Sequence, residues 1–103
     1  MRRGEIWWAD LPAPYGRRPG ILISRDRALA VRTSVTLVPL TSRRRGMPVE
    51  VPLQPDDGVP RACVANADNV TTVPKSSLIR RVGPLAPDKL RAVKDALRFA
   101  LAL

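Results

Sequence analysis

One stretch of this chain repeats its apolar residues at helical spacing over several turns. Leu90, Val93, Leu97, Ala100 and Leu101 recur every three or four positions and form a single apolar face. Lys89, Arg91, Lys94, Asp95 and Arg98 populate the other faces. Pro87 suits the first helical position and Asp88 the positive end of the helix dipole. Ala86 is a poor N-cap where serine or aspartate is usual. Everything before Pro87 is cut by prolines and glycines into short apolar runs, so the rest of the fold has to be built from short strands.

Those runs can be placed. Gly4–Leu11 is aromatic and branched and stops at Pro12, which predicts a strand. Its Trp7 and Trp8 must face opposite ways. One is expected in the core. The other is covered by a neighbouring element or half exposed as a stacking or subunit surface, with packing favoured over base stacking. Pro12–Gly16 reads as a loop carrying Tyr15. Ile21–Ile23 suits a central strand, and Ser34–Leu40 is a third strand whose Pro39 predicts an edge or bulge near its end. Arg25–Arg32 has weak helical spacing. Val49–Leu53 alternates and contains Pro52, which predicts an edge strand. Arg61–Asn66 and Leu78–Val82 complete six or so strands. Gln54–Pro60 and Pro74–Ser77 read as a loop and a turn, and Asn66–Val70 as a polar segment that bonds its own backbone. The expected fold is mainly β with a C-terminal helix, a curved sheet or partial barrel with the helix packed against it. At 103 residues it is expected to be a single domain spanning 1–103.

Composition then narrows the function. A formal net charge of +9 favours polyanionic partners, nucleic acid first and an acidic protein or anionic membrane next. The positive charge is mostly arginine, since lysine occurs only at 75, 89 and 94. Arginine grips phosphate bidentately and stacks on bases. There is no histidine, so the commonest general base and metal ligand is missing. The single cysteine, Cys63, excludes an intramolecular disulfide framework and a cysteine-based zinc site. Its apolar neighbours predict a buried structural thiol. No secretory signal is read at the start, and no run approaches the roughly 20 apolar residues needed to span a bilayer. A cytoplasmic protein without membrane, metal or cofactor is expected.

Two stretches concentrate chemistry. Gly16-Arg17-Arg18-Pro19 runs from a loop into a buried strand, and the proline pushes Arg18 into an extended conformation. Thr41-Ser42-Arg43-Arg44-Arg45-Gly46 is a hydroxyl-rich, basic turn at another strand end. Arginine plus hydroxyl, without histidine or metal ligands, suits phosphoryl chemistry. Guanidinium donors hold a phosphodiester and stabilise its transition state, and RNA supplies its own 2′-hydroxyl nucleophile. The same residues also fit a bland reading, in which the arginines are solvated loop charges and Thr41-Ser42 merely forms a turn.

Five segments in order resemble the MazF/PemK family of toxin endoribonucleases. They are Arg3-Gly4-Glu5-Ile6-Trp7, Gly16-Arg17-Arg18-Pro19 with Ile21–Ser24, Val38–Ser42, Ala65–Val70 and Leu85–Asp88. The resemblance covers essentially the full length. It implies an SH3-like, CcdB-like curved barrel that dimerises. It also implies metal-independent cleavage of single-stranded RNA to 2′,3′-cyclic phosphate and 5′-hydroxyl ends, and inhibition by a cognate acidic antitoxin. The family's catalytic arginine and threonine map to Arg18 and Thr41, and a second hydroxyl position to Ser42. Tyr15, Arg17, Arg43, Arg44 and Arg45 match the region that contacts RNA. Three departures stand out. Ala86 replaces a frequent serine, and the loop from Pro12 to Arg17 is short, which leaves the cleavage motif open. Gly20 replaces a larger apolar residue and is expected to loosen the strand start beside Arg18.

Two other readings compete. A DNA gyrase poison on the same fold carries an aromatic near a short C-terminal tail, whereas this chain ends in Phe99-Ala100-Leu101-Ala102-Leu103 within the helix. A non-catalytic basic module would bind RNA or an acidic partner without cutting.

Overall fold

The computed structural model describes all 103 residues. The elements follow the order β1 (Glu5–Leu11), β2 (Gly16–Leu22), α1 (Asp26–Val31), β3 (Ser34–Thr41), β4 (Glu50–Leu53), β5 (Cys63–Asn66), β6 (Thr71–Pro74), β7 (Leu78–Pro84) and α2 (Pro87–Leu101). The strands form one antiparallel sheet in the order β4-β5-β3-β2-β1-β7, with β6 also paired to β3. The path ends at β4 and β7 without closing, so the barrel is partial. No helix is long and apolar enough to cross a membrane.

The sheet forks at β3, which pairs with β6 from Ser34 to Leu37 and with β5 only at Leu40 and Thr41. Pro39 therefore lies between the two ladders on that side, where a missing N–H is tolerated. Alternation along β3 sends Val38 and Leu40 to one core and Val35 and Leu37 to another. The first core joins Ile6, Ile21, Leu53 and Ala65 to Val93, Ala96 and Leu97 of α2, and the second joins Ala9, Leu11, Leu22 and Val73 to Leu29 of α1. The edge strand at Val49–Leu53 is as expected, with Val49, Val51 and Leu53 buried and Pro52 exposed.

Several expectations are corrected. Arg17, Arg18 and Pro19 are not loop residues but part of β2, paired with Asp10, Ala9 and Trp8 of β1. A seventh strand, β6, occupies Thr71–Pro74. Leu101, expected on the apolar face of α2, is 53% exposed in its last turn, whereas Ala86, as expected, provides no side-chain cap. Of the tryptophans, Trp7 packs half-buried against the second core, as expected for one of the pair, and Trp8 is half-buried. Gly20 does not loosen β2. A Cβ there would stand 2.8 Å from Leu37 Cδ1 and 3.4 Å from the Val38 carbonyl, so glycine lets β2 and β3 approach closely.

One ion pair, between buried Glu5 and half-exposed Arg81, ties the two ends of the sequence together. Glu5, 8% exposed, accepts hydrogen bonds from Arg81 Nε at 2.6 Å, Trp7 Nε1 at 3.1 Å and the Arg2 backbone at 2.9 Å. Burial alone would push its carboxyl up, but the bonds from Arg81, Trp7 and Arg2 outweigh it and hold the pKa at about 2, against an ordinary 4.5. A depressed carboxyl adds stability that is complete above about 4.5 and is lost as pH falls towards 2. Discounted for the half-exposed Arg81, the Glu5→Gln variant should unfold with about 2 kcal/mol less free energy at neutral pH. In urea titrations its deficit relative to the wild type should close as pH falls through that window. A deficit unchanged down to pH 2 would show that the charge of Glu5 is not the source.

Candidate active site

β2 and β3 pair only from Gly20–Leu22 to Leu37–Pro39, and beyond that point they part. The open rim so formed holds Arg18 on one strand and Thr41 on the other. Arg18 is half-buried and bridges the gap. Its Nε donates to the Tyr15 carbonyl at 2.8 Å and its Nη1 to the Leu40 carbonyl at 3.3 Å. Its guanidinium carbon lies 5.5 Å from the Tyr15 ring centroid. These partners are neutral, so the charge is held in place without being cancelled. Of its five N–H donors, those on Nη2 and one on Nη1 stay available. Arg17 is different. It lies opposite Asp10 in the β1–β2 register, and its Nε meets Asp10 Oδ1 at 3.0 Å with a longer contact of 3.5 Å from Nη2. That pairing raises its already high pKa and spends its charge on Asp10.

Thr41 is half-buried at the end of β3. Its Oγ1 accepts the Arg43 backbone N–H at 3.1 Å, which leaves the hydroxyl proton free to donate. Ser42 beside it is exposed. The basic turn that follows is organised by Glu50, whose carboxylate accepts the backbone N–H groups of Arg45, Gly46 and Met47 at 2.7–3.1 Å. Partial burial pushes the Glu50 carboxyl up, and the bonds from Met47, Arg45 and Gly46 more than reverse this, so it lies below its usual value.

Two cavities meet at the rim. The first, about 490 Å³, is lined by Arg17, Arg18, Thr41 and Ser42 together with Trp8, Pro60, Arg61 and Cys63. The second, about 440 Å³, shares Arg18 and Thr41 and adds Tyr15, Arg43, Arg45, Asn66, Asp68 and Asn69. Seven of the eight residues singled out in the sequence therefore converge on one rim, and Arg44 lines neither cavity.

Residues 2–101 match the family described as PemK-like, MazF-like toxin of type II toxin-antitoxin system. The chain belongs to this family. It is 39% identical over 100 residues to a probable endoribonuclease MazF5 of Mycobacterium tuberculosis, covering 96% of this chain and 91% of that relative. An endoribonuclease in complex with its cognate antitoxin from Mycobacterial species superposes with a TM-score of 0.90 at 31% identity, over 100% of this chain and 96% of the other. A MazF structure from Deinococcus radiodurans gives 0.86 at 26% identity, over 100% and 97%. The MazF-type architecture expected from the sequence, an open antiparallel sheet with a C-terminal helix, is the one observed.

Several residues that line this rim were not named as site residues in the sequence, although Trp8 was weighed there as a stacking surface and Asn66–Val70 as a polar segment. Trp8, Pro60 and Arg61 reach the first cavity from segments far apart in the chain. Asn66, Asp68 and Asn69 line the second, on a 3₁₀ turn closed by Asn66 Oδ1 accepting the Asp68 N–H at 2.9 Å. Their polar, self-bonding character and their match to the MazF pattern were the available signals. Cys63, expected as a buried structural thiol, is half-buried and borders the first cavity. Burial pushes its thiol up, away from the thiolate form.

Proposed function

We propose that this MazF-like toxin cuts single-stranded RNA at the Arg18–Thr41 rim, in the cytoplasm, without a metal ion. The observation that carries this reading is the state of Arg18, a cation fixed by the Tyr15 and Leu40 carbonyls and left unneutralised beside the basic turn that opens at Thr41. The 2′-hydroxyl of the nucleotide before the scissile bond attacks the adjacent phosphorus and loses its proton to solvent. Arg18 donates to the non-bridging oxygens as negative charge builds on them, and to the 5′-oxygen as that bond breaks. The Thr41 hydroxyl donates to the same phosphate, with Ser42 beside it. The products are a 2′,3′-cyclic phosphate and a 5′-hydroxyl that takes up one proton.

Tyr15, Arg17, Arg43, Arg44 and Arg45 contact the RNA on either side. An acidic antitoxin segment competes for this basic groove, and the active form is a homodimer. Incubating the protein with a single-stranded RNA in EDTA tests the reading. Cutting that is lost in Thr41→Ala is the expected result. Binding without cutting by folded wild-type protein would instead identify a non-catalytic module.

A further inference from the structure

The two cavities at the rim differ in chemistry and in the face of the sheet they occupy. Trp8, Arg17 and Pro19 stand opposite or alternate to one another in the β1–β2 register so that they share one face, while Arg18 projects from the other. The first cavity lies on the Trp8 side and contains no carboxylate or amide side chain. The second lies on the Tyr15 side and contains Asn66, Asp68 and Asn69. Both reach Arg18 and Thr41. A phosphate seated on that pair borders both cavities.

Trp8 brings to the first cavity an aromatic side chain with no polar tie inside the protein. The Trp7 indole N–H is spent on Glu5, but the Trp8 indole makes no hydrogen bond within the protein, and the side chain is half-buried at the cavity wall. Pro19 stands opposite it in the β1–β2 register and Pro60 lines the same cavity, rings that give a rigid wall at little entropic cost. Arg61 lies in the same cavity and has no carboxylate partner. An aromatic face, stiff apolar walls and a free guanidinium, with the neighbouring Asp10 carboxylate taken up by Arg17, match the requirements for stacking a nucleic-acid base beside its phosphate.

We propose that this cavity is a base-stacking subsite, in which Trp8 stacks on the base of one of the two nucleotides flanking the scissile phosphate and Arg61 contacts the adjoining backbone. The proposal rests on the nuclease reading of Arg18 and Thr41. It divides the work of the two cavities. The Trp8 side supplies affinity to whichever base is present, because every base has a π-face, and the Asn66–Asn69 side supplies the donors and acceptors that can match a base edge.

The test is a protein–RNA double-mutant cycle. After the cut site is mapped with wild-type protein, the base on each side of it is deleted in turn, leaving an abasic ribonucleotide. Steady-state KM is then measured for wild type, Trp8→Phe and Trp8→Leu. For wild type, deletion on one side should raise KM about tenfold or more. Trp8→Leu should raise KM on intact RNA by a similar factor and should show no further loss on that abasic substrate. Trp8→Phe, which keeps a stacking face and controls for folding, should retain most of the coupling. Deletion on the other side should affect all three proteins alike, and the preferred cut sequence should not change in Trp8→Leu. Independent losses in Trp8→Leu on both abasic substrates would overturn the subsite, as would wild-type KM indifferent to both deletions. So would a Trp8→Leu protein that cuts normally but no longer binds an antitoxin, which would make this an antitoxin contact. A folded wild-type protein that cut no RNA would instead overturn the nuclease reading, and the subsite with it.

Discussion

Arg18→Ala should lower the single-turnover rate of RNA cutting by about a thousandfold while the protein stays folded. Removing one preorganised donor to a developing oxyanion typically costs ~10² to 10³ in rate. Arg18 offers several such donors and an uncancelled charge, so the upper end is expected. The fold should tolerate the change, because the side chain is only half-buried and the Tyr15 and Leu40 carbonyls it leaves face the open rim. Their loss should cost about 1 kcal/mol. Arg18→Lys should not restore the rate, since an ammonium is a point charge that cannot hold both carbonyls and still present paired donors to a phosphate. Arg17→Ala should cost far less, because that guanidinium already serves Asp10. A wild-type rate in a folded Arg18→Ala protein, checked by circular dichroism, would remove the assigned site.

Salt should weaken RNA binding steeply. Arg18, Arg43, Arg45 and Arg61 line the two cavities without carboxylate partners, whereas Arg17 is paired with Asp10. Each phosphate neutralised on a single strand contributes about −0.7 to the slope of log K against log salt. Four contacts give a slope of about −3, so a fourfold rise in salt should weaken binding by about fiftyfold. Fluorescence anisotropy with a 2′-O-methyl oligonucleotide, which lacks the attacking hydroxyl, measures binding without cutting. Substituting Arg43 or Arg61 should each make the slope shallower by about 0.7. A slope near zero would mean that the arginines at the rim do not hold phosphate.

The sequence displays some of this directly and hides the rest for identifiable reasons. α2 and the long strands were legible because burial on one face imposes a period. β6 was not, because Thr71–Pro74 is four residues long and lies between a polar turn and a proline. β2 was read too short because two arginines and a proline look like a loop. They belong to the strand because β1 pairs with it on one side while β3 has already parted from it on the other, a setting where a proline leaves no gap in a ladder. The choice between Arg17 and Arg18 could be made from the sequence only through the family resemblance. Register supplies the physical reason: Asp10 stands opposite Arg17 and Ala9 opposite Arg18, so the cross-strand neighbour quenches one cation and spares the other. Trp8 and Arg61 could not be joined by any local pattern, since only the curvature of the sheet brings them to one cavity.

The chemistry proposed at the rim has a single decisive readout, the end groups of RNA cut by purified wild-type protein in EDTA. Attack by the 2′-hydroxyl under Arg18 and Thr41 predicts 5′ fragments ending in a 2′,3′-cyclic phosphate and 3′ fragments beginning with a free 5′-hydroxyl. Fragments carrying a 5′-phosphate, or cutting that stops when divalent ions are removed, would contradict it.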